Sequence, residues 1–335
     1  MVFSLFKKKE KSGAPAKAAT MKAVQIDAYG ELSEMKYRDA PKPVPGPGEV
    51  LVRVRAAGAN PFDCKVRRGI LKDFYRLDMP VTLGSDFAGE IESAGDGVPG
   101  AMRPGDRVYG LSTPMDGGTY AEYLTIDHKF ARPMPQVSFE DACVMPMVGQ
   151  TAWYGLVNLA NVSAGQKVLV HAGAGGVGAM AIQIAKHFGA HVVTTCSTRN
   201  CELVKELGAD EIVDYTQSDF RTAIKDVDIA VDPLGGDVNL HTYEVMKPGG
   251  TILVVLRYNP VEMQNRAAMT EKYGVVVKEV AFDNQPEILD ELKELAERGV
   301  IRSNLKAVLP LADAAEAHER LETGHNAGKI ALKVD

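Results

Sequence analysis

No uninterrupted apolar stretch of this sequence reaches the roughly 18–20 residues that a bilayer-spanning helix needs, so the membrane is not expected as a partner. Cysteine is scarce. Cys64, Cys143, Cys196 and Cys201 are scattered, without the paired short spacings of a zinc site or the density of a disulfide scaffold, which implies a reducing, cytoplasmic setting. A surplus of one charge is also lacking: 38 Lys and Arg face 44 Asp and Glu, a formal net charge of −6. That balance argues against a nucleic-acid-binding surface and against a disordered acidic chain, and leaves small-molecule chemistry. At 335 residues and 45% hydrophobic content, the chain is long enough for two domains, each with its own core.

Residues 1–20 stand apart. Lys7, Lys8, Lys9, Lys11 and Lys17 are interleaved with Ser, Gly, Pro and Ala, offering little to a core, and predict a disordered tail. An organelle-targeting peptide is the alternative, disfavoured because such peptides use Arg and Ser on an amphipathic helix. From Met21 to about Met145 the segments are short and β-like, as in Glu49–Arg55, and are punctuated by Pro-Gly and Gly-Asp turns. After Pro146, short apolar runs alternate with amphipathic stretches of helix length, the pattern of repeated βαβ units. The runs at Val168–His171, His191–Thr194, Glu211–Asp214, Asp228–Val231, Thr251–Val255 and Val275–Val277 predict a six-stranded, doubly wound parallel sheet. Beyond it lie a helix over Ile288–Ala296, a strand near Val308, a helix around Ala314–Leu321 and the run Lys329–Val334.

Directly after the first of those strands comes Ala172-Gly173-Ala174-Gly175-Gly176-Val177-Gly178, and then a helix over Ala179–Phe188. Strand, glycine turn and helix together predict a dinucleotide site. Glycines permit the tight turn, the approach of a pyrophosphate to backbone N–H groups and the packing of helix on strand, with phosphate charge at the positive helix end. An Asp or Glu about twenty residues on would hold a ribose 2′-hydroxyl. Here that place reads Thr194-Thr195-Cys196-Ser197-Thr198-Arg199-Asn200, with no acid. A Ser197 hydroxyl and an Arg199 guanidinium suit a 2′-phosphate, so NADPH is expected over NADH.

The chain resembles the medium-chain dehydrogenase/reductase superfamily, in the branch of zinc-free, zeta-crystallin-like quinone oxidoreductases and plant alkenal/one oxidoreductases. The likeness runs from Met21 to Asp335: Met21-Lys-Ala-Val, Pro45-Gly-Pro-Gly-Glu-Val-Leu-Val, Gly58-Ala-Asn-Pro-Phe-Asp63, Gly84-Ser-Asp-Phe-Ala-Gly-Glu, Pro104-Gly-Asp-Arg-Val-Tyr-Gly110, Lys247-Pro-Gly-Gly and Gly328-Lys-Ile. It implies an α/β fold of two parts: a GroES-like, β-rich catalytic domain from residues 21–145 and 284–335, and a Rossmann domain over 146–283 with a doubly wound parallel sheet. Cofactor and substrate would share the cleft between them. Homodimers are usual, and the strand Val275–Val280 would pair across the two-fold axis. The resemblance places Asn60 and Thr151 beside the nicotinamide. It assigns NADPH contacts to Lys65, the turn Ala174, Gly175, Gly176, Val177 and Gly178, then Ser197, Thr198, Arg199 and Asn200, then Tyr215 and Leu256.

Zinc-dependent members bind metal through Cys, a His-Glu pair and a later Cys or Asp, whereas the matching places here hold Asn60, Ser85-Asp86 and approximately Met147. No metal is expected. The expected reaction is hydride delivery from NADPH to a quinone or an α,β-unsaturated carbonyl. The protein would supply orientation, a desolvated pocket and a donor to the oxygen that gains charge. The tyrosine that acts as proton donor in some relatives is replaced near Leu71; Tyr75 from a shifted loop is a candidate, a packed aromatic is its equal alternative, and proton delivery stays unassigned, with solvent as a further source. Two alternatives stay open: an enoyl thioester (CoA or carrier-protein) reductase, with Lys65, Arg67, Arg68 and Lys72 as a basic approach, and a non-catalytic NADPH-binding protein of crystallin-like or sensory kind. His171, Cys143, Cys196 and Trp153 read as core residues, and Asp232 as the organiser of the loop after its strand.

Overall fold

The computed structural model describes residues 19–73, 77–114, 116–255, 260–281, 284–324 and 327–335. The tail expected over 1–20 lies outside them but for its last two residues, and Tyr75 and Leu256 also fall outside. The N-terminal strands are β1 (Thr20–Ile26), β2 (Lys36–Pro41), β3 (Glu49–Ala59), β4 (Val81–Thr82), β5 (Asp86–Ala94), β6 (Arg107–Leu111), β7 (Tyr123–Asp127) and β8 (Ala131–Pro133), with helix α1 (Pro61–Arg67) after β3. Helices α2 (Phe139–Ala142) and α3 (Pro146–Trp153) lead into β9 (Lys167–Val170), α4 (Gly176–His187), β10 (His191–Cys196), α5 (Cys201–Glu206), β11 (Glu211–Asp214) and α6 (Phe220–Ala223). Then follow β12 (Val227–Asp232), α7 (Gly236–Thr242), β13 (Met246–Val255), α8 (Pro260–Tyr273), β14 (Val276–Val280), α9 (Pro286–Glu297), β15 (Leu305–Pro310), α10 (Ala314–Glu322) and β16 (Lys329–Lys333).

The six strands β9 to β14 pair in parallel in the spatial order β11-β10-β9-β12-β13-β14, the doubly wound arrangement whose order reverses at β9. Successive side chains alternate faces. Val168 and Val170 join one apolar cluster with Met180 and Ile184 of α4, while Leu169 joins another with Tyr243, Met269 and Tyr273. Burial on both faces is why these strands read as continuous apolar runs instead of alternating ones. β14, on which the dimer contact was expected, is the outer strand, and Val276 on it is half exposed.

The larger β-sheet runs β15-β16-β3-β5-β6-β8, with β7 also on β3. β3 is long enough to serve two neighbours on one side: its first half pairs with β7 and its second half with β16. The two strands that follow the parallel sheet in sequence are therefore built into the N-terminal sheet. α9 ties the two sheets together. The Tyr109 hydroxyl donates to the Leu289 carbonyl, Arg132 pairs with Asp290, and the side chain of Gln150 on α3 bonds Asn284 and the Gln285 amide just before α9.

Candidate active site

β9 delivers the chain to the glycine turn, where Ala172 takes a left-handed φ of 51°. The Ala172 amide donates to Thr195 Oγ1 at 3.2 Å and the Gly173 amide to the Thr195 carbonyl at 3.0 Å, pinning the turn to β10. A Cβ on Gly178 would lie 2.3 Å from the Ala172 carbonyl oxygen and 2.8 Å from Gly173 Cα. The turn thus folds onto the first residues of α4, and only a residue without a side chain fits there. Gly175 is the N-cap of α4. A cradle of backbone amides at a twelve-residue helix start is a natural seat for phosphate.

The next loop closes over the end of β10. Ser197 and Asn200 are half-buried, Thr198 and Arg199 exposed, and Asn200 Nδ2 donates to Ser197 Oγ at 3.1 Å. Tyr215 is 58% exposed, and its amide reaches the Cys196 carbonyl at 3.0 Å, so the ring emerges beside the Ser197 loop. Four expected cofactor contacts, Ser197, Thr198, Asn200 and Tyr215, therefore cluster around one strand end with Arg199 among them. One acid was missed: the Thr198 hydroxyl donates to Asp214 Oδ2 at 2.5 Å, and this bond, with those from Thr216, holds the Asp214 carboxyl below its usual range. Asp214 ends β11, one strand over from the end of β10, where an acid would hold a ribose 2′-hydroxyl. The Cys196 and Cys201 sulfurs, which bracket this loop, share a hydrogen bond at 3.8 Å and are not joined by a disulfide.

Asn60 directly, and Thr151 through Met147, are tied to a carboxylate that the sequence did not single out as functional. Asp86 opens β5 and is fully buried. Its Oδ2 accepts from Asn60 Nδ2 at 3.0 Å and from Lys329 Nζ at 3.3 Å; its Oδ1 accepts from the Met147 amide at 2.8 Å. Met147 lies one turn before Thr151 on α3, and the Thr151 hydroxyl donates to the Met147 carbonyl at 2.7 Å. Burial pushes the Asp86 carboxyl upward, with Lys329 and the Asn60 bond opposing it. The Lys329 ammonium also donates to the Ala59 carbonyl at 2.8 Å and to Asn60 Oδ1. Close packing makes this meeting possible: a Cβ on Gly58 would lie 2.3 Å from the Cys143 carbonyl oxygen and 2.9 Å from Asp86 Cβ. Lys65, in the last turn of α1, is half-buried.

A second buried network backs the first. Asp63, at the third position of α1, accepts from the Asn60 amide at 2.9 Å, from Ser85 Oγ at 2.7 Å and from the Tyr120 hydroxyl at 3.0 Å. Tyr120 is 3.3 Å from His318 Nε2 on α10. Burial pushes the Asp63 carboxyl up to about 6, against the bonds from Ser85 and Asn60 and helped by the charge of Asp86. Burial also drives His318 down to about 3. Sequence offers no local signal for this pairing, since Tyr120 and His318 lie far apart in the chain.

The residues read as structural have structural partners. Asp232 accepts from the Leu234 and Gly235 amides at 2.8 and 2.9 Å and from Asn239 Nδ2 at 2.8 Å. Trp153 packs edge-on against Phe188. His171 sits between Thr195 Oγ1 at 3.2 Å and Thr242 Oγ1 at 3.0 Å, and burial lowers it from 6.5 to about 4. A histidine neutral in the native state but free to protonate when unfolded stabilises fully above about 6.5, and that contribution is lost as pH falls toward about 4. The loss is on the order of 3 kcal/mol. His171→Gln can bond both threonines without titrating, so its melting temperature should fall less between pH 6.5 and 4 than that of the parent. Equal slopes in a differential scanning fluorimetry series would refute the assignment.

Residues 46–136 match the alcohol dehydrogenase GroES-like domain model and residues 207–332 a zinc-binding dehydrogenase model. The chain is 32% identical to the chloroplastic quinone-oxidoreductase QR1 of Triphysaria versicolor, covering 93% of this chain and 98% of that protein. It is also 32% identical to the trans-enoyl reductase pgmF of Aspergillus terreus, over 95% and 97% of the two chains. Among solved structures, the quinone oxidoreductase of Coxiella burnetii superposes with a TM-score of 0.85 at 34% identity, covering 95% of this chain and all of that one. With a parallel Rossmann-like sheet, a GroES-like sheet and this likeness along nearly its whole length, the chain belongs to the medium-chain dehydrogenase/reductase superfamily, in its quinone oxidoreductase branch.

Proposed function

We propose that the chain is a metal-independent, NADPH-dependent reductase of quinones or α,β-unsaturated carbonyls, working where the two sheets meet. The observation that carries this reading is the convergence of Asn60, on one side, and the Met147–Thr151 turn, on the other, onto the single buried carboxylate of Asp86. The places that match zinc ligands supply an amide, a hydroxyl, a carboxylate and a thioether, and the carboxylate already holds an ammonium. Such a set does not fit zinc, which wants thiolate and imidazole. The residues around the glycine turn do fit a dinucleotide, since Gly178, where a Cβ would meet the Ala172 carbonyl oxygen at 2.3 Å, lets the turn fold tightly onto the start of α4 and present its backbone there. Bound there, the cofactor supplies a hydride from C4 of its nicotinamide. The protein contributes a water-poor wall of packed side chains and a fixed orientation, so the acceptor must already be electron-poor. Four free cysteines support a reducing compartment, the cytoplasm, although the Triphysaria relative carries a chloroplastic name.

The preference for NADPH rests on Ser197 and Arg199 and on the absence of an acid in the Thr194–Asn200 segment itself, the neighbouring Asp214 carboxylate being engaged by Thr198 and Thr216. Arg199→Glu should weaken NADPH by roughly 10- to 100-fold, the worth of a charge-assisted bond, and leave NADH little changed. Equal responses in fluorescence titrations would remove Arg199 as the phosphate clamp. The reaction itself is tested by following NADPH absorbance with EDTA-treated protein and a quinone, a short-chain enone or an enoyl-CoA. Turnover of a quinone or an enone establishes the reading. Turnover of enoyl-CoA alone moves the chain to the thioester branch, and silence on all three with NADPH bound points to a non-catalytic binder.

A further inference from the structure

We propose that Lys329 is a positioning residue for hydride transfer, an internal cation that fixes Asn60 and holds the glycine turn against the catalytic wall. The inference rests on the functional reading above and goes beyond it in assigning a role to the C-terminal strand.

The geometry is complete on all three N–H donors of the ammonium. Lys329 Nζ faces the Ala59 carbonyl, Asn60 Oδ1 and Asp86 Oδ2, three acceptors for its three donors. The side chain is 4% exposed and that of Asp86 is not exposed at all, so neither charge is screened by water. With Oδ1 of Asn60 taken by the ammonium and Nδ2 by Asp86, the amide has one orientation. A reversed amide would set NH2 against ammonium and oxygen against carboxylate. Lys329 therefore decides which way Asn60 faces.

The same residue reaches the cofactor side. A Cβ on Gly176 would lie 3.0 Å from Lys329 Cδ and 2.9 Å from Val148 Cγ1, so the aliphatic stem of Lys329 runs along the underside of the glycine turn. Its backbone is anchored there too: the Gly328 amide donates to the Ala174 carbonyl at 2.8 Å, Asn304 Nδ2 donates to the same oxygen at 2.8 Å, and the Lys329 amide donates to the Asn304 carbonyl at 2.8 Å. One residue thus touches the turn with its stem and the Asn60–Asp86–Met147 junction with its tip. Distance between the dinucleotide seat and the wall holding Asn60 and Thr151 is set by the length of a lysine.

Removal of the ammonium alone would leave Asp86 buried and unpaired, so the informative variant is the charge-balanced pair K329M/D86N, read beside N60A. Two measurements on the full chain apply: the fluorescence lifetime of the nicotinamide in bound NADPH, which needs no acceptor, and single-turnover hydride transfer with NADPH carrying deuterium at C4. K329M/D86N should bind NADPH within about threefold of the parent yet show a shortened lifetime, and transfer hydride on the order of 100-fold more slowly with a larger isotope effect. N60A should lose a similar amount, and the triple variant no more than either, because all act through one arrangement. A K329M/D86N protein with the parent's lifetime and hydride rate overturns the inference, leaving Lys329 as the counter-charge of Asp86. Should that pair not fold, N60A decides: it keeps the ion pair and cuts the link, and parental values for it overturn the inference equally. A parent that binds no dinucleotide sinks the functional reading itself, and this inference with it.

Discussion

Gly178→Ala is expected to cost NADPH binding on the order of 100-fold, the scale at which an ångström of displacement is felt at a preorganised site. The added methyl meets the Ala172 carbonyl oxygen at 2.3 Å and Gly173 Cα at 2.8 Å. Both are backbone atoms, so no side chain can swing aside. Either α4 slides away from β9 or the turn opens, and in each case the amides at the helix start move apart from the strand that aims them. Gly100→Ala is the matched control, since a Cβ there meets nothing within 4 Å. Titration of both variants by quenching of protein fluorescence, with a thermal melt to confirm folding, checks the expectation. Affinity of Gly178→Ala within threefold of the parent would mean that the turn is not the cofactor seat.

Asp86→Ala is expected to destabilise the protein by about 3–5 kcal/mol, the cost of leaving one member of a buried ion pair without its partner. The ammonium of Lys329 would lose its counter-charge in a place water does not reach, and the Met147 amide would lose its acceptor. For a chain of this size the melting temperature should drop by roughly 10 °C. Removing the stranded charge as well should reverse much of the loss: Asp86→Ala combined with Lys329→Met places apolar atoms in an apolar site, and well-packed replacements of buried pairs are often neutral. Urea denaturation of the two single variants and the double variant measures the coupling. A double variant whose loss equals the sum of the single losses would show that the two side chains do not stabilise each other.

What sequence disclosed was local. β9, the glycine turn and α4 are contiguous, and each of their residues is constrained by its near neighbours, so strand, punctuation and helix could be read directly. The loop over Ser197–Asn200 was reached by counting from that turn. Asp214 escaped the same count because parallel pairing, not spacing, sets the end of β11 beside the end of β10. The junction at Asp86 is harder still. Asn60 and Lys329 are 269 residues apart, and nothing in Gly328-Lys-Ile says that its lysine turns inward. A lysine is ordinarily a surface residue, and its burial here follows from three acceptors that belong to other segments. For the same reason nothing in the sequence joins Asp63, the end of a family motif, to Tyr120 and His318 until the fold brings them into one chain of hydrogen bonds. Tyr75 and Leu256 lie outside the described residues.

The position of β16 bears on how the molecule is made. It lies between β15 and β3 in the seven-stranded sheet, yet it is synthesised after the whole parallel sheet. Until it emerges, the second half of β3 has no neighbour on that side and its backbone groups form an open edge, the kind of surface that invites pairing with other chains. The parallel sheet, by contrast, is continuous in sequence and can close first. Lys329 arrives on this last strand, so Asp86 and Asn60 meet their cation in the closing act of assembly. A nascent chain stalled before residue 329 would carry a closed parallel sheet whose glycine turn lacks the Lys329 stem beneath it, and a wall at Asn60 and Asp86 without its cation.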